Sequence, residues 1–304
     1  MKVVPREVIA LVSVLFGFLL RDTGARRVRA SRSQPVEMLV GGKYRLGRRM
    51  HEGIYLGADR TTGNEVAVKL EYFFSSKAKL VFEAGWYEVL GVRAGFPRVY
   101  WHGQQDDYDV LVTELLGPSL KELASAGALS PKQVVALSDQ MLDRVEYVHT
   151  KFAIHRDIKP GHFLVGLDAN EGHVHLIDFG SAKTYMHPDT LQHAAYQENV
   201  SFVGSPDFAS VNAKMGVGQS RRDDLEALSN VLIYLFDEAQ RRSKDEITRI
   251  WQSHMKENTT TLSDELWQKT HDGLVTFRTY CRSLGFAEKP DYVYLHELLR
   301  GLTL

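Results

Sequence analysis

Short apolar runs broken by turns fill the chain from Lys43 to Leu116, and longer runs with apolar residues three or four apart fill most of the remainder. Tyr44-Arg45-Leu46 and Ile54-Tyr55-Leu56 alternate as strands do. Asp59 to Asn64 reads as a turn, and Val66-Ala67-Val68 as a β-branched strand. Lys77 to Leu90 has helical spacing, with Leu80, Ala84, Tyr87, Val89 and Leu90 apolar. Two more strands are predicted, over Arg98–His102 and Val110–Glu114. Beyond Gly117-Pro118 the period lengthens. Ser130-Pro131 opens a helix running to His149, and Glu226–Phe236 reads as a buried helix. Ile247–His254, Leu266–Cys281 and Val293–Leu302 predict three further helices. The expected fold is α+β in two lobes: a small antiparallel sheet with one helix over 43–116, and a mainly helical lobe over 117–304.

The stretch ahead of Lys43 stands apart. Lys2 and Arg6 precede an uncharged, mostly apolar run from Val8 to Leu20, whose thirteen residues would span about 20 Å as a helix. That falls short of a bilayer core of about 30 Å. It fits the apolar part of a signal peptide or signal anchor over residues 1–25, with Thr23-Gly24-Ala25 offering small residues for cleavage. An organelle transit peptide and a buried or amphipathic helix are the other readings. Arg26, Arg27, Arg29 and Arg32 then make residues 26–42 a basic, flexible linker. The expected location is the secretory pathway or outside the cell, with an organelle or the cytoplasm as alternatives. Membrane contact is expected only through this segment, if it stays uncleaved.

Composition narrows the chemistry. Residues are 44% hydrophobic and 25% charged, a globular balance, and the net charge of -1 gives no global pull toward nucleic acid. The lone cysteine, Cys281, has no partner for an internal disulfide and reads as a small buried hydrophobe. The histidines form no ligand-spaced cluster. The absence of any internal repeat excludes solenoids and propellers, and a monomer is expected.

Candidate chemistry comes from residues far apart in sequence. His155-Arg156-Asp157-Ile158-Lys159-Pro160 lies between a helix and a short strand, and Asp178-Phe179-Gly180 follows the apolar run Val174–Ile177. Either alone is a common turn. Together, twenty-one positions apart and each beside a strand, they are hard to obtain by chance. Upstream, Val66-Ala67-Val68-Lys69 puts a lysine on a strand, and Glu83 comes on the next helix, where the two can pair. This set is the protein-kinase signature.

The finer text resembles the casein kinase 1 family of Ser/Thr protein kinases. The resemblance rests on Glu114 to Leu120, His155 to Pro160, Gln219 to Glu226, Cys281 to Leu284 and Lys289 to Tyr292, and covers about Lys43 to Leu302. It implies ATP-dependent phosphoryl transfer to a protein substrate, with ATP and Mg²⁺ as cofactors. By resemblance, Lys69 holds the α- and β-phosphates, oriented by Glu83, and Asp178 binds the metal ion. Asp157 accepts the substrate's proton and Lys159 neutralises the γ-phosphate. Ile54, Ala67 and Leu164 enclose the adenine, Glu114 and Leu116 offer it backbone hydrogen bonds, and Thr113 guards the back of the slot. Arg282 is expected to pair with a carboxylate at the end of the activation segment, and Asp224 to cap the catalytic loop.

Three departures from the family bear on activity. Only His51-Glu52-Gly53 stands where the family has a glycine-rich flap, about four residues fewer, unless an exon boundary is wrongly drawn. His162 replaces the asparagine that ligates a second Mg²⁺. An imidazole suits a softer ion such as Mn²⁺ better, or hydrogen-bonds Asp157 instead. Asp207 stands where a phosphate-binding arginine is usual, a reversal of sign that should repel acidic substrates. The usual Leu-Pro-Trp stretch after Phe236 is also missing. Two readings stay open: a working kinase of unusual design, and a pseudokinase serving as a scaffold or allosteric partner.

Overall fold

The structure, a computed structural model, describes residues 38–73, 79–167, 170, 172–253 and 264–302. The expected leader and most of the expected linker lie outside the described residues. The end of that linker does not stay a linker: Leu39–Val40 form β1, with Val40 fully buried. Among the described residues no helix is long and apolar enough to cross a membrane.

A six-stranded antiparallel sheet makes the first lobe. Its strands are β1, β2 (Tyr44–His51), β3 (Ile54–Asp59), β4 (Glu65–Tyr72), β5 (Val99–Gln105) and β6 (Tyr108–Glu114), in spatial order β1-β2-β3-β4-β6-β5. The sheet curls until its edges meet, where Gln105 Nε2 donates to Leu39 O at 2.5 Å and Gly41 N donates to Gln105 Oε1 at 2.9 Å. Gly41 has φ +55°, and a Cβ there would come within 2.8 Å of the Trp101 ring, so only glycine lets the edges close.

Register decides which side chains face the cleft. Ile54 pairs with Lys69, Leu56 with Ala67, and Ala67 with Thr113, so these residues share one face of the sheet. Val66, Val68, Val110 and Val112 take the other face and bury themselves with Val40 and Tyr44. The first face receives α1 (Lys79–Leu90), whose Leu80, Ala84, Tyr87 and Leu90 join the main core.

The second lobe is built on α2 (Leu120–Ser125), α3 (Pro131–Thr150), α4 (Val211–Lys214), α5 (Arg221–Ser253), α6 (Asp264–Ser283) and α7 (Tyr292–Arg300). Two small sheets support the site: β7 (Ala153–Ile154) with β10 (Lys183–Thr184), and β8 (Phe163–Val165) with β9 (Val174–Leu176). Ser130 caps α3 in a capping box with Gln133, and Pro131 sits in the first turn as the sequence pattern requires. Val134, Leu137, Met141, Leu142, Val145 and Val148 pack onto Leu225, Leu228, Leu232 and Leu235 of α5 in one core.

The two helices expected over 226–236 and 247–254 are one. No glycine or proline interrupts Arg221–Ser253, and the polar stretch between the two apolar runs continues the helix, with Arg241 bonding Glu238 at 2.7 Å. His254 lies outside the described residues, as do Lys77 and Ala78 at the expected start of α1. Cys281 is buried on α6, and that burial pushes its thiol pKa far up, consistent with an inert, packing cysteine.

Candidate active site

The cleft between the lobes holds an unbroken line of polar side chains. From α1, Glu83 Oε2 meets Lys69 Nζ of β4 at 2.6 Å, and the same nitrogen lies 3.8 Å from Asp178 Oδ1. Burial works against the charge on Lys69, but the carboxylates of Glu83 and Asp178 outweigh it and raise its pKa, so the ammonium persists at neutral pH.

Asp178 sits at φ +65°, a left-handed conformation that aspartate tolerates better than most residues. What holds it there is its neighbour. Phe179 is 1% exposed and packs edge-on against Tyr87 and His155, with centroids 5.3 and 4.9 Å away. Tyr87 Oη accepts from the Asp178 backbone N–H at 3.3 Å, tying the turn to α1.

Asp157 comes directly after Arg156, which is strained at φ +66°. Asp224, 1% exposed on α5, holds this loop: its Oδ2 accepts from His155 N at 2.6 Å and its Oδ1 from Arg156 N at 2.8 Å. This is the capping role expected for Asp224. Asp157 Oδ2 takes a hydrogen bond from Lys159 Nζ at 2.9 Å, and that ammonium also donates to Ser205 Oγ at 3.1 Å. Asp157 Oδ1 is buried without a partner among the described residues. An unsatisfied carboxylate oxygen is expensive, and the nearby Ser205 hydroxyl also helps hold the Asp157 carboxyl ionised. Burial pushes the Asp157 pKa up, but the His162 and Lys159 charges pull harder and leave it low, so the carboxylate is ready to accept.

His162 lies in a short 3₁₀ turn, Pro160–His162, between the two acids. Its Nδ1 is 3.0 Å from the Asp157 carbonyl, which can only accept, so Nδ1 carries a proton. Its Nε2 faces Asp178 Oδ2 at 3.2 Å. A ring nitrogen and a carboxylate oxygen this close share either a proton, with the imidazole charged and donating, or a metal ion. An imidazole whose other nitrogen donates to a carbonyl is also arranged as metal-binding histidines are. The pair fits a divalent ion, and a nitrogen donor favours a transition ion such as Mn²⁺ over Mg²⁺, which prefers oxygen. Among the described residues no group of three or more ligating side chains gathers around one point. An ion here would therefore draw its remaining ligands from phosphate and water. Burial opposes ionisation of Asp178, yet its bond to His162 and the charge of Lys69 hold its carboxyl far below the usual range.

The expected adenine contacts flank this line. Ile54, Ala67 and Thr113 share the Lys69 face of the sheet. Leu164 on β8 bridges to Ser119, and the connection after β6 is stitched to β8 by Gly117 N to Val165 O at 2.8 Å. Leu116 is 7% exposed in that connection. The Glu114 side chain is committed to structure, accepting from Asn170 Nδ2 at 2.5 Å and Arg98 N at 3.2 Å, so only its backbone is offered to a base.

The flap is the tight hairpin expected. Gly53 has φ +68° at its tip, and Leu70 N donates to Gly53 O at 2.8 Å, which fastens the tip to β4 rather than extending it over the cleft. His51 Nε2 also reaches Glu122 Oε1 across the cleft mouth at 3.7 Å, a contact between exposed side chains that no local sequence signal announced. Ser205 escaped notice too, because serines in loops are common and only the fold brings this one to Lys159.

Arg282 departs from expectation. Its Nε bonds Glu226 Oε1 on α5 at 2.7 Å. The end of the activation segment, Phe208-Ala209-Ser210, carries no carboxylate to receive it. Asp207 is exposed and lines a groove of about 490 Å³ that also holds Lys121, Lys214 and Arg278, so its negative charge has cations around it.

The family model described as protein kinase domain matches residues 46–281. The chain belongs to the protein kinase domain family. That match spans β2 through most of α6 and so includes every residue of the polar line. The two-lobed α+β architecture is that of a kinase domain, and membership brings with it phosphoryl transfer to proteins as the family's activity. Protein kinases generally use ATP and Mg²⁺.

Proposed function

We propose that this kinase domain is a divergent relative of casein kinase 1 that transfers the γ-phosphoryl group of ATP to Ser or Thr of protein substrates. One observation carries the reading. Glu83, Lys69, Asp178, His162, Asp157, Lys159 and Ser205 form a continuous series of contacts, none longer than 3.8 Å, from α1 to the activation segment. Phosphoryl transfer asks mainly for positioning and charge neutralisation, and this series supplies both. Lys69, held by Glu83, grips the α- and β-phosphates. Lys159 leaves Ser205 to meet the γ-phosphoryl group, while the Asp157 carboxylate accepts the proton of the incoming hydroxyl. Asp178 and His162 hold the divalent ion, which when bound offsets negative charge on the phosphate oxygens. Ile54, Ala67 and Leu164 clasp the adenine, with the backbone of Glu114 and Leu116 at its edge.

The second reading, a pseudokinase scaffold, draws on the flap tip bonded to β4, which leaves the phosphates without a cover. Transfer of radiolabel from ATP to a generic protein substrate separates the two. Expected is transfer with Mn²⁺ at least about tenfold above that with Mg²⁺, the scale on which losing a metal contact acts. His162→Asn should reverse the preference. Lack of transfer with either ion, in wild type and variant alike, would leave the scaffold.

The apolar run ahead of the domain adds the secretory pathway as the compartment. Mass spectrometry of the mature N-terminus should find it just after Ala25, and an N-terminus still at Met1 would count against cleavage.

A further inference from the structure

Outside the cleft, a buried polar cluster links the last described helix to the catalytic loop. His149, near the end of α3, is 2% exposed. Its Nε2 lies 3.0 Å from Asp224 Oδ2 and its Nδ1 lies 2.6 Å from Oη of Tyr292, the first residue of α7. The same Asp224 oxygen receives the His155 amide, so one carboxylate serves the histidine and the loop together.

A carboxylate can only accept, so Nε2 of His149 must donate to it. In a neutral ring Nδ1 then accepts, and the Tyr292 hydroxyl is the donor in place. Burial pushes the Tyr292 pKa far up, which keeps that proton on the phenol. We infer that Tyr292 is a positioning residue: its hydroxyl satisfies Nδ1 and holds the His149 ring in the orientation from which Nε2 meets Asp224, which in turn holds the backbone of His155 and Arg156, and through them Asp157.

The strain at Arg156 makes the orientation matter. A non-glycine residue at φ +66° is strained and persists only where its surroundings enforce it. Enforcement here is the pair of hydrogen bonds to Asp224. Without the phenol, Nδ1 of His149 is left as a buried acceptor with no donor, and a ring that turns to find one pulls Nε2 away from Asp224. Asp224 must shift or lose a bond, and the loop relaxes. The rest of α7 is anchored independently of Tyr292: His296 reaches Asp139 at 2.5 Å and Glu146 at 3.1 Å on α3, and Arg300 reaches Asp139 at 3.1 Å. Removing one oxygen therefore leaves the helix docked.

The test is Tyr292→Phe in the full chain, with Tyr280→Phe as the matched control. Tyr280 Oη accepts from the Asp291 amide at 2.8 Å, one residue away, and takes no part in the relay. In Tyr292→Phe, amide hydrogen exchange at His155 and Arg156 should rise about tenfold, the effect of losing roughly one hydrogen bond. Exchange in the middle of α3 should stay at the wild-type rate, and the control should match wild type throughout. Unchanged exchange at those two amides, or an equal rise across α3 or in the control, overturns the inference. The kinetic arm rests on the kinase reading: kcat should fall about tenfold while KM for ATP stays within twofold. A wild type that transfers no phosphate removes that reading while the exchange result still decides the relay.

Discussion

Asp157→Asn should cut phosphoryl transfer by about 10²–10⁴-fold while the protein stays folded, the range in which a positioned general base acts. The geometry argues for this size. Among the described residues, Oδ1 of Asp157 is the one buried carboxylate oxygen in the cleft without a partner, and Oδ2 belongs to Lys159. Exchanging the acid for an amide keeps the shape but removes the charge that receives a proton and orients Lys159. In the proposed reading ATP is held by Lys69, Asp178 and the slot around Ala67, so KM for ATP should stay within about threefold. The split between a collapsed kcat and a preserved KM identifies an interaction realised only as the hydroxyl attacks. Single-turnover radiolabel transfer measures it. A thermal midpoint within a few degrees of wild type guards against misfolding. Transfer near the wild-type rate would take the base away from Asp157.

Asp178→Asn should be as damaging but differently. It removes the carboxylate that faces both Lys69 and His162, so nucleotide affinity should fall together with the rate. Measured side by side, the two variants test the proposed division of labour, Asp157 toward the hydroxyl and Asp178 toward the phosphates.

Much of this site was legible because its chemistry is compressed into short strings. Strand alternation around Val66–Lys69 and the helical spacing after Lys79 put Lys69 and Glu83 on neighbouring elements, and burial then forces the pair to meet. The capping of the loop by Asp224 came from the family resemblance over Gln219 to Glu226 rather than from any local pattern. Local patterns failed where the deciding partner is distant or where an absence matters. A polar stretch after Phe236 read as a connection, yet without glycine or proline nothing stops the helix. Leu39–Val40 read as linker because two residues carry no period, and β1 exists only because β2 offers an edge and Trp101 a surface. Arg282 lost its expected partner because no acid stands at the end of the activation segment, and a guanidinium takes the nearest buried carboxylate, Glu226. His162 was recognised as a substitution. Its seat between both acids depends on the 3₁₀ turn and on an aspartate sixteen residues away.

The largest loss of stability should come from Asp224→Ala. Asp224 accepts two backbone N–H groups and the His149 ring while nearly inaccessible to water. Hydrogen bonds to a charged group are worth about 1.5–3 kcal/mol each, and a buried donor left unpaired costs about 1–3 kcal/mol more. Arg156 would also lose what keeps it in a strained conformation. These effects are coupled and do not add fully, so about 3–5 kcal/mol is expected, as for breaking a buried charged pair. That is a large share of the roughly 5–15 kcal/mol a domain possesses. At about 2–4 °C per kcal/mol for a domain of this size, the thermal midpoint should drop by about 10 °C. Acid supplies the check on cause. Burial raises the Asp224 pKa, but its bonds with His149 and the nearby histidine charges win and leave it below the ordinary aspartate value. A carboxyl with a depressed folded pKa contributes stability that is present above its unfolded pKa and is lost as pH falls through the folded one. The stability gap between wild type and Asp224→Ala should therefore hold steady through neutral pH and narrow as pH drops below the usual aspartate range, where the wild-type carboxyl takes up a proton. A gap that stays constant into acid would mean that packing, not the carboxylate's hydrogen bonds, holds the catalytic loop.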